Sequence, residues 1–189
     1  MSDLTHYIEL KAIPQSDITQ NQVISHLMQQ LHRILPQFAG RIGAGFPGYG
    51  QMRGMGGIIR LFGNQTDCNA LFAQLHTIGI AEYALIDPIK MVPERINAHI
   101  RYARLHPKDG SAIRRAQKRL QAQGKWNEDV YKNILNKWSP AQKLPHIHMN
   151  SRSTGQRFIL WIKGQTLPHQ QTGLFSAYGL SQQATIPNF

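Results

Sequence analysis

Hydrophobic and polar positions in the first half of this chain switch repeatedly between a period of two and a period near 3.6. From His6 to Ile13, Ile8, Leu10 and Ala12 alternate with Tyr7, Glu9 and Lys11, which predicts a half-buried strand. Beyond Asp17, the residues Val23, Ile24, Leu27, Met28, Leu31, Ile34 and Leu35 recur at helical spacing. They predict one amphipathic helix that ends near Pro36, where the missing N–H stops the ladder. Two strands follow, over Arg41 to Phe46 and Gly57 to Phe62, joined by a glycine-rich loop. A second helix runs from Thr66 to Leu75 through Cys68, Leu71 and Phe72, and a last strand covers Tyr83 to Met91.

The predicted order β-α-β-β-α-β is that of a ferredoxin-like domain, an arrangement that RNA-recognition domains use. Pro93 marks its end, because a proline interrupts the strand pattern there. The second half is more irregular. Ser111 can cap a helix that runs to about Gln123, and Asn127 a shorter one with Val130, Tyr131, Ile134 and Leu135. Strands are predicted over Leu144 to Met149 and Gln156 to Lys163, with a final extended piece from Leu174 to Leu180. The fold class is α+β: an N-terminal ferredoxin-like (RRM-like) domain over residues 1–93, then a basic, irregular α+β domain over residues 94–189. No internal repeat or low-complexity segment interrupts it, and 41% hydrophobic content in 189 residues is enough for a core in each.

Charge sharpens this division. Residues 1–93 carry six Lys/Arg against six Asp/Glu, and residues 94–189 carry fifteen against four, so the whole formal charge of +11 falls in the second half. A polyanion is the first partner such a distribution suggests. The single cysteine, Cys68, excludes an internal disulfide framework and a Cys-rich zinc module. No cationic leader precedes an apolar run, and no apolar stretch approaches the length of a membrane span, so a cytoplasmic location without membrane insertion is expected.

Along the helix after Ser111, Ile113, Ala116 and Leu120 cluster on one side while Arg114, Arg115, Lys118 and Arg119 share the other. With no acidic residue between Ser111 and Gly124 to form helix ion pairs, this stripe suits phosphates along a nucleic-acid groove better than an ordinary solvated face. His32 lies one turn after Met28 at the margin of an apolar face. Its imidazole suits proton removal from a ribose 2′-hydroxyl near neutral pH, although a lone helical histidine is more often structural.

Metal chemistry finds little support. The only adjacent carboxylates, Glu128-Asp129, open a helix, where the macrodipole already explains them. His146-Ile147-His148 puts two imidazoles on one strand face without a nearby third ligand. The glycines from Gly43 to Gly57 lack the Gly-Lys-Ser/Thr ending of a phosphate loop and read as a hairpin connection, with Arg53 able to brush RNA. No cofactor and no metal are expected.

The stretch from Ser151 to Phe158 packs Ser151, Ser153, Thr154, Gln156, two arginines and an aromatic ring into eight residues, a chemistry suited to phosphate, ribose and base contacts together. Ser151 lacks the Gly-x-Ser-x-Gly elbow of hydrolases, so it is expected to position a group, not to attack one. Phe158 can belong to the core or stack on a base, and Tyr178 can be a buried tyrosine or a phosphate-side hydroxyl.

In this order and spacing, several segments resemble the CRISPR-repeat endoribonuclease of type I-F systems, which cuts precursor CRISPR RNA beside a repeat hairpin. They are Leu31-His32, Arg41-Ile42-Gly43 leading to Phe46-Pro47, the basic helix around Arg114 to Arg119, Ser151-x-Ser153-Thr154-Gly155-Gln156-x-Phe158, and Tyr178-Gly179-Leu180-Ser181. The match spans nearly the whole chain.

The resemblance implies a metal-independent nuclease with His32 as catalytic histidine and Ser151 as the serine that orients the attacking ribose. Ser153 and Thr154 then lie near the scissile region. It makes Phe158 the aromatic that stacks on the base of the hairpin, Tyr178 an active-site tyrosine, and Arg114, Arg115, Lys118 and Arg119 the groove-binding helix. The expected products are a 2′,3′-cyclic phosphate and a 5′-hydroxyl, with the mature guide RNA retained in a surveillance complex. The family commonly carries an arginine followed two residues later by a glutamine, whereas Arg101-Tyr102-Ala103-Arg104 has no glutamine. Arg101 is the expected equivalent of that arginine, with Arg104 able to replace the missing amide. The rival readings are a non-catalytic RNA-hairpin binder and a DNA-binding domain built on the same basic helix.

Overall fold

The computed structural model describes residues 4–51, 54–106, 110–138, 144–151 and 154–189, and it is an α+β protein with two antiparallel sheets. Strand β1 (His6–Ala12) is central in the first sheet, and Ile8 and Leu10 are fully buried, as its alternation predicts. Helix α1 (Gln20–Ile34) opens with a reciprocal capping box between Thr19 and Gln22, and its apolar stripe from Val23 to Ile34 is buried. It tightens into a 3₁₀ turn over Leu35–Phe38, with Pro36 near the start of that turn.

Next come β2 (Gly43–Gly45), β3 (Ile58–Gly63) and α2 (Gln65–Leu75), whose N-cap Asn64 accepts from Asp67 N–H at 2.7 Å. β2 is shorter than the predicted Arg41–Phe46, because Arg41 N–H closes a turn onto the Phe38 carbonyl and Phe46 O accepts from Tyr49 N–H. The predicted strand Tyr83–Met91 is two strands, β4 (Ala84–Ile86) and β5 (Lys90–Met91), both paired with β1. The break falls at Asp87-Pro88, where proline has no N–H to give and the Asp87 carboxylate binds Lys11 and Lys90 at 2.8 and 2.7 Å. The sheet order is β2-β3-β1-β4.

The second sheet departs furthest from the sequence expectation. Its strand β6 (Ala98–Leu105) has no counterpart among the predicted elements, yet it pairs with two neighbours. Cations occupy two of its positions, and Tyr102 is its one buried side chain, so the apolar signal is weak. Helices α3 (Gly110–Ala122) and α4 (Glu128–Trp138) follow. α3 starts one residue ahead of Ser111, and Asn127 caps α4 through Val130 N–H at 2.8 Å. Then come β7 (His146–Asn150), β8 (Arg157–Leu167) and β9 (Ile186–Asn188), in the order β7-β8-β6-β9. Leu174 to Leu180 is not the predicted extended piece but irregular chain that closes in a single turn over residues 176–180, where Gly179 sits at φ +71°. The strand nearer the end, β9, carries Pro187, which an edge position tolerates.

One contiguous cluster of buried side chains joins both sheets, from Leu27 and Leu31 to Ile147, Leu160 and Ile162. α1 is the bridge. Its Gln29 amide donates to Asn150 O at 3.2 Å and accepts from Asn150 N–H at 2.8 Å, while Ser25 Oγ accepts from His148 N–H at 3.3 Å. These side chains cover the edge of β7 that would otherwise offer unpaired backbone groups. Cys68 is fully buried in α2, and burial pushes its thiol pKa up to about 11. Among the described residues, no helix is long and apolar enough to cross a membrane.

Candidate active site

His32 stands in the last turn of α1, half-buried. Its Nδ1 lies 3.1 Å from the carbonyl oxygen of Ala177. A carbonyl only accepts, so Nδ1 carries the proton and the Nε2 lone pair of the neutral ring is left to act as a base. The imidazole is also stacked on Tyr178, with ring centroids 4.2 Å apart and planes 6° from parallel.

The turn that supplies both partners is tightly tied. Ser176 N–H donates to Leu180 O at 2.7 Å, Gly179 N–H to Ser176 O at 2.8 Å, and Ala44 N–H of β2 to Gly179 O at 2.8 Å. Ser181 N–H donates to Tyr102 O and its hydroxyl to Leu174 O, each at 2.9 Å. Gly179 is obligatory here for two reasons: its φ is +71°, and a Cβ at this position would stand 2.6 Å from Ala44 Cβ.

From Tyr178 the site continues to β6 and β8. The Arg104 guanidinium lies 5.5 Å from the Tyr178 ring and 5.5 Å from the Phe158 ring, so His32, Tyr178, Arg104 and Phe158 form one continuous series. The Arg104 backbone is fixed by Gln182, whose amide donates to its carbonyl at 2.7 Å. Arg101 is differently employed: its guanidinium donates to Gln165 Oε1 at 2.6 Å, Gln182 O at 3.2 Å and Gln171 Oε1 at 3.4 Å. The two arginines that the sequence offers as alternatives therefore differ physically, one spending donors on its own chain and the other inserted between the aromatic rings.

Ser151 begins the loop that joins β7 to β8. Its N–H donates to Gln156 O at 2.8 Å, its carbonyl accepts from Gly155 N–H at 2.9 Å, and its Oγ accepts from Thr154 N–H at 3.3 Å. Ser151 follows Asn150, the residue clamped by Gln29, and Gln29 stands three positions before His32 on α1. Helical neighbours at that spacing share a face, which places the serine loop beside the histidine face. Thr154 and Gln156 are exposed in this loop, with Gln156 N–H donating to Thr154 Oγ1 at 3.4 Å. Ser153, Arg152 and Arg53 lie outside the described residues.

Arg114, Arg115, Lys118 and Arg119 are exposed on α3 while Ile113 is buried, as the stripe predicts. His146 and His148 are adjacent on one face of β7, with ring centroids 5.3 Å apart. Three contributors carry no sequence signal of their own: the Ala177 carbonyl, the Gln29 clamp and the Gln182 amide. Two of them act on backbone groups, and the third is itself one.

Comparison with known proteins gives a consistent result. A family model described as "CRISPR-associated protein (Cas_Csy4)" matches residues 7–189. The chain is 32% identical over 190 residues to a CRISPR-associated endonuclease Cas6/Csy4 of Escherichia coli (strain UTI89 / UPEC), an alignment covering 98% of this chain and 100% of the relative. It is 28% identical over 190 residues, with the same coverage, to a CRISPR-associated endonuclease Cas6/Csy4 of Pseudomonas aeruginosa (strain UCBPP-PA14).

Proposed function

Because this chain belongs to the Csy4 family of CRISPR-associated proteins, the type I-F repeat endoribonucleases, we propose that it binds a CRISPR repeat stem-loop and cleaves precursor CRISPR RNA beside it. The observation that carries the reading is the His32 geometry: an imidazole with Nδ1 committed to Ala177 O and held flat against Tyr178 has one nitrogen left to take a proton.

His32 Nε2 removes the proton of the 2′-hydroxyl just upstream of the scissile phosphate, and Ser151 fixes that ribose for in-line attack. The 2′-oxygen–phosphorus bond forms as the phosphorus–5′-oxygen bond breaks. The departing 5′-oxygen takes a proton from solvent, leaving a 2′,3′-cyclic phosphate and a 5′-hydroxyl. No metal is required, because the nucleophile is already tethered to the phosphate and alignment supplies much of the rate. Phe158 stacks on the base of the hairpin, Arg104 and Arg101 contact the lower stem, Ser153, Thr154 and Gln156 line the scissile region, and the α3 cations track its groove.

In this reading residues 1–93 form a ferredoxin-like domain that holds the histidine and residues 94–189 a basic domain that holds the hairpin. The hairpin contacts survive cleavage, so the mature guide RNA stays bound, in the cytoplasm, as part of a type I-F surveillance complex. The test is a repeat hairpin with a single 2′-deoxy substitution upstream of the cut, incubated in EDTA beside the all-ribose RNA. Cleavage of the ribose substrate only, with both bound equally, is expected. Binding without cleavage of either would favour the hairpin-binder reading, and cutting of the deoxy substrate would refute the tethered nucleophile.

A further inference from the structure

Arginines in this fold are held in two different ways. Arg41 and Arg60 each donate to a carboxylate, Asp67 at 2.8 Å and Glu9 at 2.6 Å. Arg101 has no such counter-charge among the described residues. Its Nη2 donates to Gln165 Oε1 at 2.6 Å, and its Nη1 to Gln182 O at 3.2 Å and Gln171 Oε1 at 3.4 Å. A guanidinium held by neutral groups is fixed in direction while its charge stays available to an outside partner. Nε–H and one Nη2 hydrogen remain from its five donors.

Gln165 is the partner placed to act with it. Gln182 spends its amide nitrogen on Arg104 O at 2.7 Å, and Gln171 lies beyond the end of β8 at the longest of the three contacts. Gln165 stands directly opposite Arg101 in the β6–β8 register and is exposed, so the two side chains leave one face of the sheet together. A guanidinium only donates, so the amide atom facing Arg101 is the oxygen. That leaves the second lone pair of Oε1 and the NH₂ group, which makes no hydrogen bond among the described residues, for a partner. Such an acceptor and donor side by side match N6–H and N7 of adenine, as a guanidinium matches O6 and N7 of guanine. Directly opposed side chains stand about 5 Å apart and stacked bases roughly 3.4 Å, so two such readers serve two successive bases. Ala103, two positions along the same face, has no polar group to offer. Arg104, three positions along, points to the opposite face, toward Phe158 and Tyr178. The pair is nevertheless wired to the catalytic turn: Arg101 to Gln182, Gln182 to Arg104, and Arg104 to the Tyr178 ring. A stem seated there presents its end, where the deep groove of A-form RNA opens to side chains.

We propose that Gln165 is a specificity-determining residue whose amide reads an adenine in the lower stem, beside the guanine met by Arg101. The proposal rests on the hairpin-binding reading above, and its test separates the two. Repeat hairpins in which each lower-stem base pair is exchanged in turn are titrated against wild type, Gln165→Ala, Gln165→Glu and Arg104→Ala. The readout is the ratio of affinities between the original and the exchanged hairpin. Wild type is expected to lose about tenfold when one particular adenine is exchanged. In Gln165→Ala and Gln165→Glu that single ratio should fall toward one, while the ratio at the neighbouring guanine persists. Gln165→Glu keeps an acceptor for Arg101 and removes the NH₂ group, so it distinguishes reading a base from propping the arginine; any general repulsion from its charge cancels in the ratio. The assignment is overturned if wild type shows no adenine preference, if Gln165→Ala keeps it, if Gln165→Glu restores it, if every ratio falls together, or if Arg104→Ala alone removes it. A wild-type protein that shows the expected ratios but cuts none of the hairpins would strike the cleavage reading and leave Gln165 as the reader of a hairpin-binding protein.

Discussion

Substituting Gly179 by alanine should disable chemistry while sparing RNA binding. At φ +71° any side chain has a conformational cost of roughly 1–2 kcal/mol. The new Cβ would also meet Ala44 Cβ at 2.6 Å and Ala44 N at 2.8 Å, and Ala44 is 1% exposed on β2 with nowhere to retreat. Ordinary carbon contacts lie near ~3.5–4.0 Å, so the 176–180 turn must move by about 1 Å. That movement breaks or stretches the Ala44 N–H to Gly179 O bond, a further loss of about 0.5–1.5 kcal/mol. The total destabilisation is then about 1.5–3.5 kcal/mol, readable as a lowered midpoint in urea unfolding. The same turn carries the Ala177 carbonyl that sets the His32 tautomer and the Tyr178 ring against it. A displacement of about 1 Å in positioning groups can lower a rate by roughly 10²-fold. Single-turnover cleavage at saturating enzyme, beside a binding titration, separates the two effects: a slow cut at near-normal affinity is expected. A wild-type cleavage rate in a variant that shows the stability loss would mean that this turn does not organise His32.

His32→Ala should slow cleavage by about 10² to 10⁴-fold with affinity nearly intact, measured in single-turnover kinetics. Neutralising Arg115 and Arg119 together should weaken hairpin binding and flatten its dependence on salt, and an unchanged slope across a salt series would mark the α3 stripe as a solvated face only. The Asp67 carboxylate, hydrogen-bonded twice by Arg41 at 2.8 Å, is held below the ordinary carboxylate range. Its contribution to stability is thus present above the unfolded value near ~4 and is lost as pH falls through the folded value. Unfolding midpoints of Asp67→Asn should accordingly lie below wild type at neutral pH and converge with it in acid.

The legible parts of the fold are those where one face of an element is buried and the other is not. α1 shows this over its whole length, and β1 shows it in Ile8 and Leu10, although Glu9 between them is also buried, under the Arg60 guanidinium that pairs with it. β6 escapes because its inward-facing Arg104 replaces an apolar residue with a cation that the aromatic rings of Phe158 and Tyr178 accommodate. Only the folded chain brings those rings together. β9 escapes because Pro187 reads as a strand breaker until its neighbours show it to be an edge. In the site, His32, Ser151, Phe158 and Tyr178 stand out by residue type and order, but nothing in their spacing fixes which of them touch. The Ala177 carbonyl has no side-chain signature, and Gln29 looks like any solvent-facing helix amide until Asn150 is found opposite it.

The bond from His32 to Ala177 spans 145 positions along the chain, and the Gln29 clamp on Asn150 spans 121. Contacts of such sequence separation form only after the intervening chain exists. During translation, α1 emerges early with an imidazole that has neither its carbonyl partner nor its stacking ring. On the mechanism proposed above, a ribosome-bound fragment is an incomplete nuclease beside its own messenger RNA, and cutting competence arrives only when the turn around Tyr178 has been made and docked. On the mechanism proposed above, the same wiring makes the activity a report on the integrity of nearly the entire polypeptide, because loosening either end of it frees the His32 ring from its partners.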